Sequence, residues 1–203
     1  MRAPWTRTTL AFLVVAALAT TARAQMGGTM DEMGSNRLVS FGIGGGVAVP
    51  VSDARDAFKT GFNGQGFVRL NLKQLPIAPR IDVTFSKFDI DDAKIGTPGV
   101  TGDGQMLAGI ANLQYVILPT GPARPYIVAG LGAYNFKTDV TGIANASRSD
   151  TRFGINGGAG VLFKLGGMLS GFVEGRIDNV FSEKGVIQSD QVQIVPVTFG
   201  VVF

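Results

Sequence analysis

The sequence predicts an all-β protein, an eight-stranded antiparallel up-and-down transmembrane β-barrel. Three observations predict it. Segments of roughly ten residues alternate apolar side chains with polar or small ones, the period of two that a strand imposes. The connections between these segments alternate between short and long, as in a meander whose turns face two different compartments. The face that is not apolar is rich in glycine and alanine rather than charge. That suits a narrow interior better than a water-facing exterior.

The strands are expected in this order. The first, over 38–49, sets Val39, Phe41, Ile43, Val47 and Val49 against Ser40, Gly42, Gly44, Gly46 and Ala48. The second, over 65–73, sets Val68, Leu70 and Leu72 against Arg69, Asn71 and Lys73. The third, over 80–88, sets Ile81, Val83 and Phe85 against Arg80, Asp82, Thr84 and Ser86. The fourth, over 105–117, sets Leu107, Leu113, Tyr115 and Ile117 against Asn112 and Gln114.

The fifth, over 126–137, is apolar on both faces. Tyr126, Val128, Tyr134 and Phe136 are assigned outward, and Ile127, Ala129, Leu131 and Ala133 inward. The sixth, over 152–165, sets Phe153, Ile155, Val161 and Phe163 against Arg152, Asn156 and Lys164. The seventh, over 169–180, sets Val173 and Ile177 against Glu174, Arg176 and Asp178. The eighth, over 191–203, carries Val195, Val197, Phe199, Val201 and Phe203 on one side. Pro196 lies on its other side and lacks an N–H, so a bulge or a missing ladder bond is expected there.

Long polar connections fall at 51–64, 89–104, 138–151 and 181–190, and short ones at 74–79, 118–124 and 166–168. Strands of about 9–11 tilted residues match a bilayer. An even strand number leaves both ends on one side. A tight hairpin at 166–168 would set Gly160 opposite Glu174 and Gly158 opposite Arg176, so large charged side chains meet empty positions. Two aromatic bands are expected at the membrane interfaces. Tyr115, Tyr126, Phe163 and Phe203 lie near the short turns, and Phe85, Tyr134, Phe136 and Phe153 near the long ones. Alternation alone leaves a soluble lipocalin-like barrel open, because that fold differs only in which face is apolar.

The chain begins as an exported protein would. Arg2 and Arg7 precede a short apolar run, and Ala22-Arg23-Ala24 fits a small-x-small cleavage site. Residues 1–24 are therefore read as a signal peptide, 25–36 as a flexible N-terminal lead-in and 37–203 as the barrel. The formal charge of +3 resides in Arg2, Arg7 and Arg23, since the leader holds no acid. The mature chain is formally neutral and gives no reason to expect a nucleic-acid partner. It has no cysteine, so no disulfide holds it together.

The ARPYIVAGLGAY segment at 123–134, FGINGGAGVLFKL at 153–165, FVEGR at 172–176 and the terminal PVTFGVVF resemble the small outer-membrane β-barrel proteins of the OmpA transmembrane-domain and OmpX-like group. The resemblance covers the whole mature chain. It implies a bacterial outer-membrane location, contact with outer-membrane lipid and lipopolysaccharide, and assembly with periplasmic chaperones and the barrel-insertion machinery. It also implies that Phe199, Val201 and Phe203 carry the terminal assembly signal. The peptidoglycan-binding domain of full OmpA-type proteins is absent from this sequence.

The chemistry expected is sparse. The chain has no histidine and no cysteine, so a serine lacks its usual activating base and thiol chemistry is excluded. Outer-membrane enzymes of this size resemble one another in relying on a histidine. No cofactor is implied. Asp82, Glu174 and Asp178 are interior carboxylates, expected to pair with Arg69, Arg80 and Arg176 in a polar network with a structural role, because buried charges must be paired. Such a network would seal a lumen this narrow.

A small gated pore and a surface adhesion or ligand-binding barrel are the alternatives. Asp89, Asp91, Asp92 and Asp103 lack regular calcium-loop spacing and read as a solvated acidic loop. Asn145-Ala146-Ser147 matches a glycosylation sequon by chance. Arg55, Lys59, Arg148 and Arg152 lie on or near the long loops, where lipopolysaccharide is an available anion.

Deleting Phe203 should impair membrane insertion, measured as loss of the heat-modifiable form in the outer-membrane fraction. Normal yield of that form from the truncated chain would remove Phe203 from the signal.

Overall fold

The computed structural model describes residues 37–51, 59–72, 75–89, 101–141, 146–181 and 192–203. The leader, the lead-in, Arg55, Asp91, Asp92 and Asn145 lie outside them. Eight strands follow in order: β1 (Val39–Val51), β2 (Gly61–Leu70), β3 (Ile77–Asp89), β4 (Thr101–Val116), β5 (Ala123–Thr141), β6 (Ala146–Gly166), β7 (Leu169–Val180) and β8 (Val192–Val202). Each pairs antiparallel with its sequence neighbour, and β8 pairs with β1 to close the barrel. The predicted fold class, strand number and topology are those observed.

The exterior is the apolar side. Ile43, Ile81, Leu113, Leu131, Phe153 and Phe199 are each more than half exposed. The buried side chains include Asn63, Gln65, Arg80, Asp82, Glu174 and Arg176. This inversion of a soluble barrel is what a lipid solvent requires. At the end bearing the short turns, Phe41 and Phe203 stack at 6.2 Å. Their backbones exchange two hydrogen bonds of 2.9 Å. The last residue thus ties the closing seam. At the opposite end Phe62 and Phe85 approach to 6.1 Å, and Phe153 and Phe181 are also exposed there.

The hairpin expectation holds. Gly160 pairs with Glu174 and Gly158 with Arg176. Gly166 and Gly167 form the tight turn with positive φ angles of 133° and 55°, which side chains rarely tolerate. Gly160 is also boxed in sideways. A Cβ there would lie 2.5 Å from the Tyr126 hydroxyl and 2.6 Å from the Val173 carbonyl oxygen.

Three expectations are corrected. First, the faces of β5 are exchanged. Tyr126, Val128 and Tyr134 are buried in the lumen, while Ile127 and Leu131 are half exposed to lipid. Tyr126 and Tyr134 therefore leave the aromatic bands, and Phe136 packs against the interior cluster. Gly130 and Gly132 share their parity. They are the same small-residue mark that identifies the inner face of β1.

Second, β2 begins at Gly61, not 65, so Asn63 joins Gln65 on the inner face. Third, most of the connection expected at 138–151 is strand. Thr138 pairs with Arg148, and β5 and β6 run for 19 and 21 residues. Backbone pairing there continues through the polar sequence.

Pro196 keeps its register on both sides. It faces Ala48 of β1 without a shift. Toward β7, pairing breaks after Gly175↔Val197 and resumes at Asp178↔Ile194. The proline is thus accommodated by a ladder gap on one side and not by a bulge.

Gly160→Ala should destabilise the barrel by about 1–3 kcal/mol through overpacking. Gly175→Ala, with nothing within 4 Å of the added carbon, should stay within about 0.5 kcal/mol of the parent. Urea unfolding in detergent followed by circular dichroism measures both, and equal midpoints for the two variants would contradict the packing derived for Gly160.

Candidate functional site

The lumen gathers the polar chemistry of the chain. Its centre is built by β2, β3, β4, β5 and β7, each of which presents alternate residues inward. Arg80 and Asp82 are consecutive inward positions of β3, and Glu174 and Arg176 of β7. β3 and β7 stand four strands apart in a ring of eight. Pairs between them cross the full width of the barrel.

The Arg80 guanidinium is the hub. Its Nε donates to Asp82 Oδ1 at 2.6 Å. Its Nη1 and Nη2 donate to Glu174 Oε2 and Oε1 at 2.7 and 2.9 Å. This is the two-pronged pairing that arginine geometry favours. Glu174 also accepts from Tyr126 Oη at 2.8 Å and Gln65 Nε2 at 3.2 Å. Gly160 lies between Tyr126 and Glu174 on β6 and, lacking a side chain, leaves that path clear.

Arg176 Nη1 donates to Asp82 Oδ2 at 2.8 Å, and Asn112 donates to the same oxygen. One face of the hub is aromatic. The Arg80 guanidinium carbon lies 3.9 Å from the Phe67 ring centre, within cation–π range. Phe67 in turn meets Phe172 edge-on at 5.5 Å.

Apolar layers cap this polar middle on both sides. Phe67, Tyr126, Leu162, Phe172 and Val202 pack toward the short-turn end. Phe88, Met106, Ile110, Tyr134, Val180 and Ile194 pack toward the long-loop end. Above that second layer a small apolar cavity is lined by Pro50, Phe88, Phe136, Val192 and Ile194.

Of the six polar residues singled out from sequence, four are joined: Arg80, Asp82, Glu174 and Arg176. Two are not. Arg69 is buried but makes no ion pair or hydrogen bond among the described residues, because its cross-strand neighbour is Arg80, another cation. Asp178 makes no ion pair among the described residues and accepts a hydrogen bond from Tyr134 Oη at 3.5 Å. Sequence reasoning missed Gln65, Phe67 and Tyr126. Gln65 and Phe67 share the inward parity of Arg69 and could have been read from it. Tyr126 was lost with the inverted faces of β5.

At the long-loop rim, above the aromatic band, Lys87 and Asp103 pair at 3.1 Å. The Asp103 carboxyl is held below its ordinary range, first by the hydrogen bond from Gln105 and then by Lys87. No cluster of metal-ligating side chains occurs among the described residues.

An outer membrane protein beta-barrel domain model matches residues 8–202. Among solved structures, Neisserial surface protein A is similar with a TM-score of 0.55 at 12% identity, covering 82% of this chain and 96% of that one. A major outer membrane protein from Thermus thermophilus is similar with a TM-score of 0.57 at 13% identity, covering 82% and 99%. At such identities the likeness is one of fold. No curated protein matches the chain.

Replacing Glu174 by Gln should cost about 3–5 kcal/mol of stability, because Arg80 and Arg176 are then left buried with Asp82 as their one shared counter-charge. Replacing Arg80 and Glu174 together by Met and Leu should cost much less. Unfolding midpoints of the two variants in detergent check this, and a double variant no better than the single one would contradict it.

Proposed function

The chain belongs to the outer membrane protein beta-barrel family, and from that premise we propose that it is a non-enzymatic scaffold of the outer membrane with a sealed polar lumen. The observation that carries this reading is the Arg80–Glu174 pair, which joins opposite walls of the barrel at 2.7 and 2.9 Å. Apolar layers on either side of it close the remaining path. The carboxylates that could act as acid or base are engaged by guanidinium groups, and no histidine exists to activate a hydroxyl.

In this role the exterior meets outer-membrane lipid and lipopolysaccharide. Phe199, Val201 and Phe203 present the terminal strand to the insertion machinery and its chaperones, and the seam bonds of Phe203 support that assignment. Specific recognition falls to the surface loops, where function concentrates on a rigid scaffold.

A second reading, surface adhesion or ligand binding, is favoured by the β5–β6 hairpin. Its strands of 19 and 21 residues exceed what a bilayer requires and carry the pairing outward.

Planar-bilayer recording of the purified barrel tests the sealed lumen. No stepwise conductance is expected from the parent protein. Sustained open steps in the parent, abolished by narrowing substitutions at Gly158 or Gly160, would replace the scaffold reading with a pore.

A further inference from the structure

Arg69 and Arg124 stand apart from the central network at the short-turn end of the lumen. Arg69 is the penultimate residue of β2 and Arg124 the second residue of β5. Arg69 is 8% exposed. The Nε atoms of both are buried without a partner. Neither side chain forms a hydrogen bond or ion pair among the described residues.

Their electrostatic surroundings are cationic. Arg69 lies opposite Arg80 in the β2–β3 ladder, and like charges directly opposite destabilise a sheet. Arg124 is brought to the same end of the lumen, because Phe67 and Tyr126, the next inward positions of β2 and β5, pack in one cluster. Arg80 cannot share its counter-charges, since Asp82 and Glu174 already occupy its Nε, Nη1 and Nη2. Among the described residues the acidic side chains offer no relief. None occurs in 37–51, 59–81, 104–138 or 192–203, and Asp178 sits beside Tyr134 toward the other end.

A guanidinium buried without counter-charge is costly; Arg69 is buried, and Arg124 is half-buried with its Nε enclosed. A guanidinium fork binds an oxyanion through two parallel N–H bonds, and a phosphate monoester carries close to two negative charges near neutral pH. We propose that Arg69 and Arg124 form a binding site for a phosphate dianion at the periplasmic mouth of the lumen. The phosphate is either free in the periplasm or carried as a monoester headgroup by a lipid of the inner leaflet. Ser40, buried and paired with Arg69 across the β1–β2 ladder, supplies a neighbouring hydroxyl.

The test uses the mature chain in maltoside micelles, unfolded by urea at rising sodium phosphate against sodium chloride of equal ionic strength. A parallel series adds phosphatidic acid to the micelles against an equal amount of diacylglycerol. The expected result is a saturable rise in unfolding midpoint with phosphate, with phosphatidic acid, or with both. A response to phosphate alone assigns the free ion, and a response to phosphatidic acid alone assigns the headgroup.

Arg69→Gln and Arg124→Gln should each abolish the response. Arg69→Gln should be at least as stable as the parent without phosphate, since its repulsion from Arg80 is gone. Lys87→Gln, at the opposite rim, should keep the full response. The proposal is overturned if neither phosphate nor phosphatidic acid moves the midpoint beyond its control. It is equally overturned if the shift persists in both arginine variants.

Discussion

The pairing of Arg80 with Glu174 across the lumen is the constraint on which the rest of the structure depends. Eight strands enclose a space that side chains alone can fill. A charge placed in that space has no water to retreat to, so it must find its partner on the facing wall. β3 and β7 supply the two halves. The strands around them yield room. Gly158 and Gly160 on β6 leave empty the positions beside Arg176 and Glu174, and Gly160 leaves Tyr126 a clear line to the carboxylate. Gly158 and Gly160 thus follow from the crowding of the lumen, where an added Cβ would collide with its neighbours.

The lipid solvent governs the other face. Leu, Ile, Val and Phe side chains that would form a core in water are here the outer coat. The interior receives the polar groups, but not exclusively. Two apolar layers bracket the ionic middle. Low polarity on both sides strengthens the central pairs and makes any charge left outside them expensive. Arg69 shows the consequence. It shares the inward parity of the network yet faces a cation, and its isolation follows from the ladder register and not from distance along the chain.

The sequence was most legible where local rules fix geometry. A tight turn at Gly166 and Gly167 determined the β6–β7 register, and the facing of Gly160 with Glu174 followed by counting. Legibility failed where the pattern carried no phase. β5 is apolar on both faces, so hydrophobic alternation could not orient it, and the aromatic rings of Tyr126 and Tyr134 suggested an interface they do not occupy. The β5–β6 extension was hidden for another reason. Backbone pairing there outlasts the apolar pattern. The partners inside the lumen lay beyond sequence reasoning because they are chosen across the barrel, by residues some ninety positions apart.

Pro196 joins these levels. Its missing N–H interrupts the β7–β8 ladder where Arg176 and Ile177 would pair. A bulge would have shifted the preceding residues of β8 to the opposite face, exposing Ile194 to lipid and turning Val195 into the lumen. The register instead resumes unchanged at Asp178↔Ile194. Arg176 keeps its place across the gap through its ladder to β6, where it pairs with Gly158. Its side chain reaches Asp82 on the facing wall at 2.8 Å, and β1 pairs with Pro196 from the other side. The ionic network therefore does more than fill the lumen. It ties β7 to β3 across the barrel at the level where a proline interrupts the β7–β8 ladder.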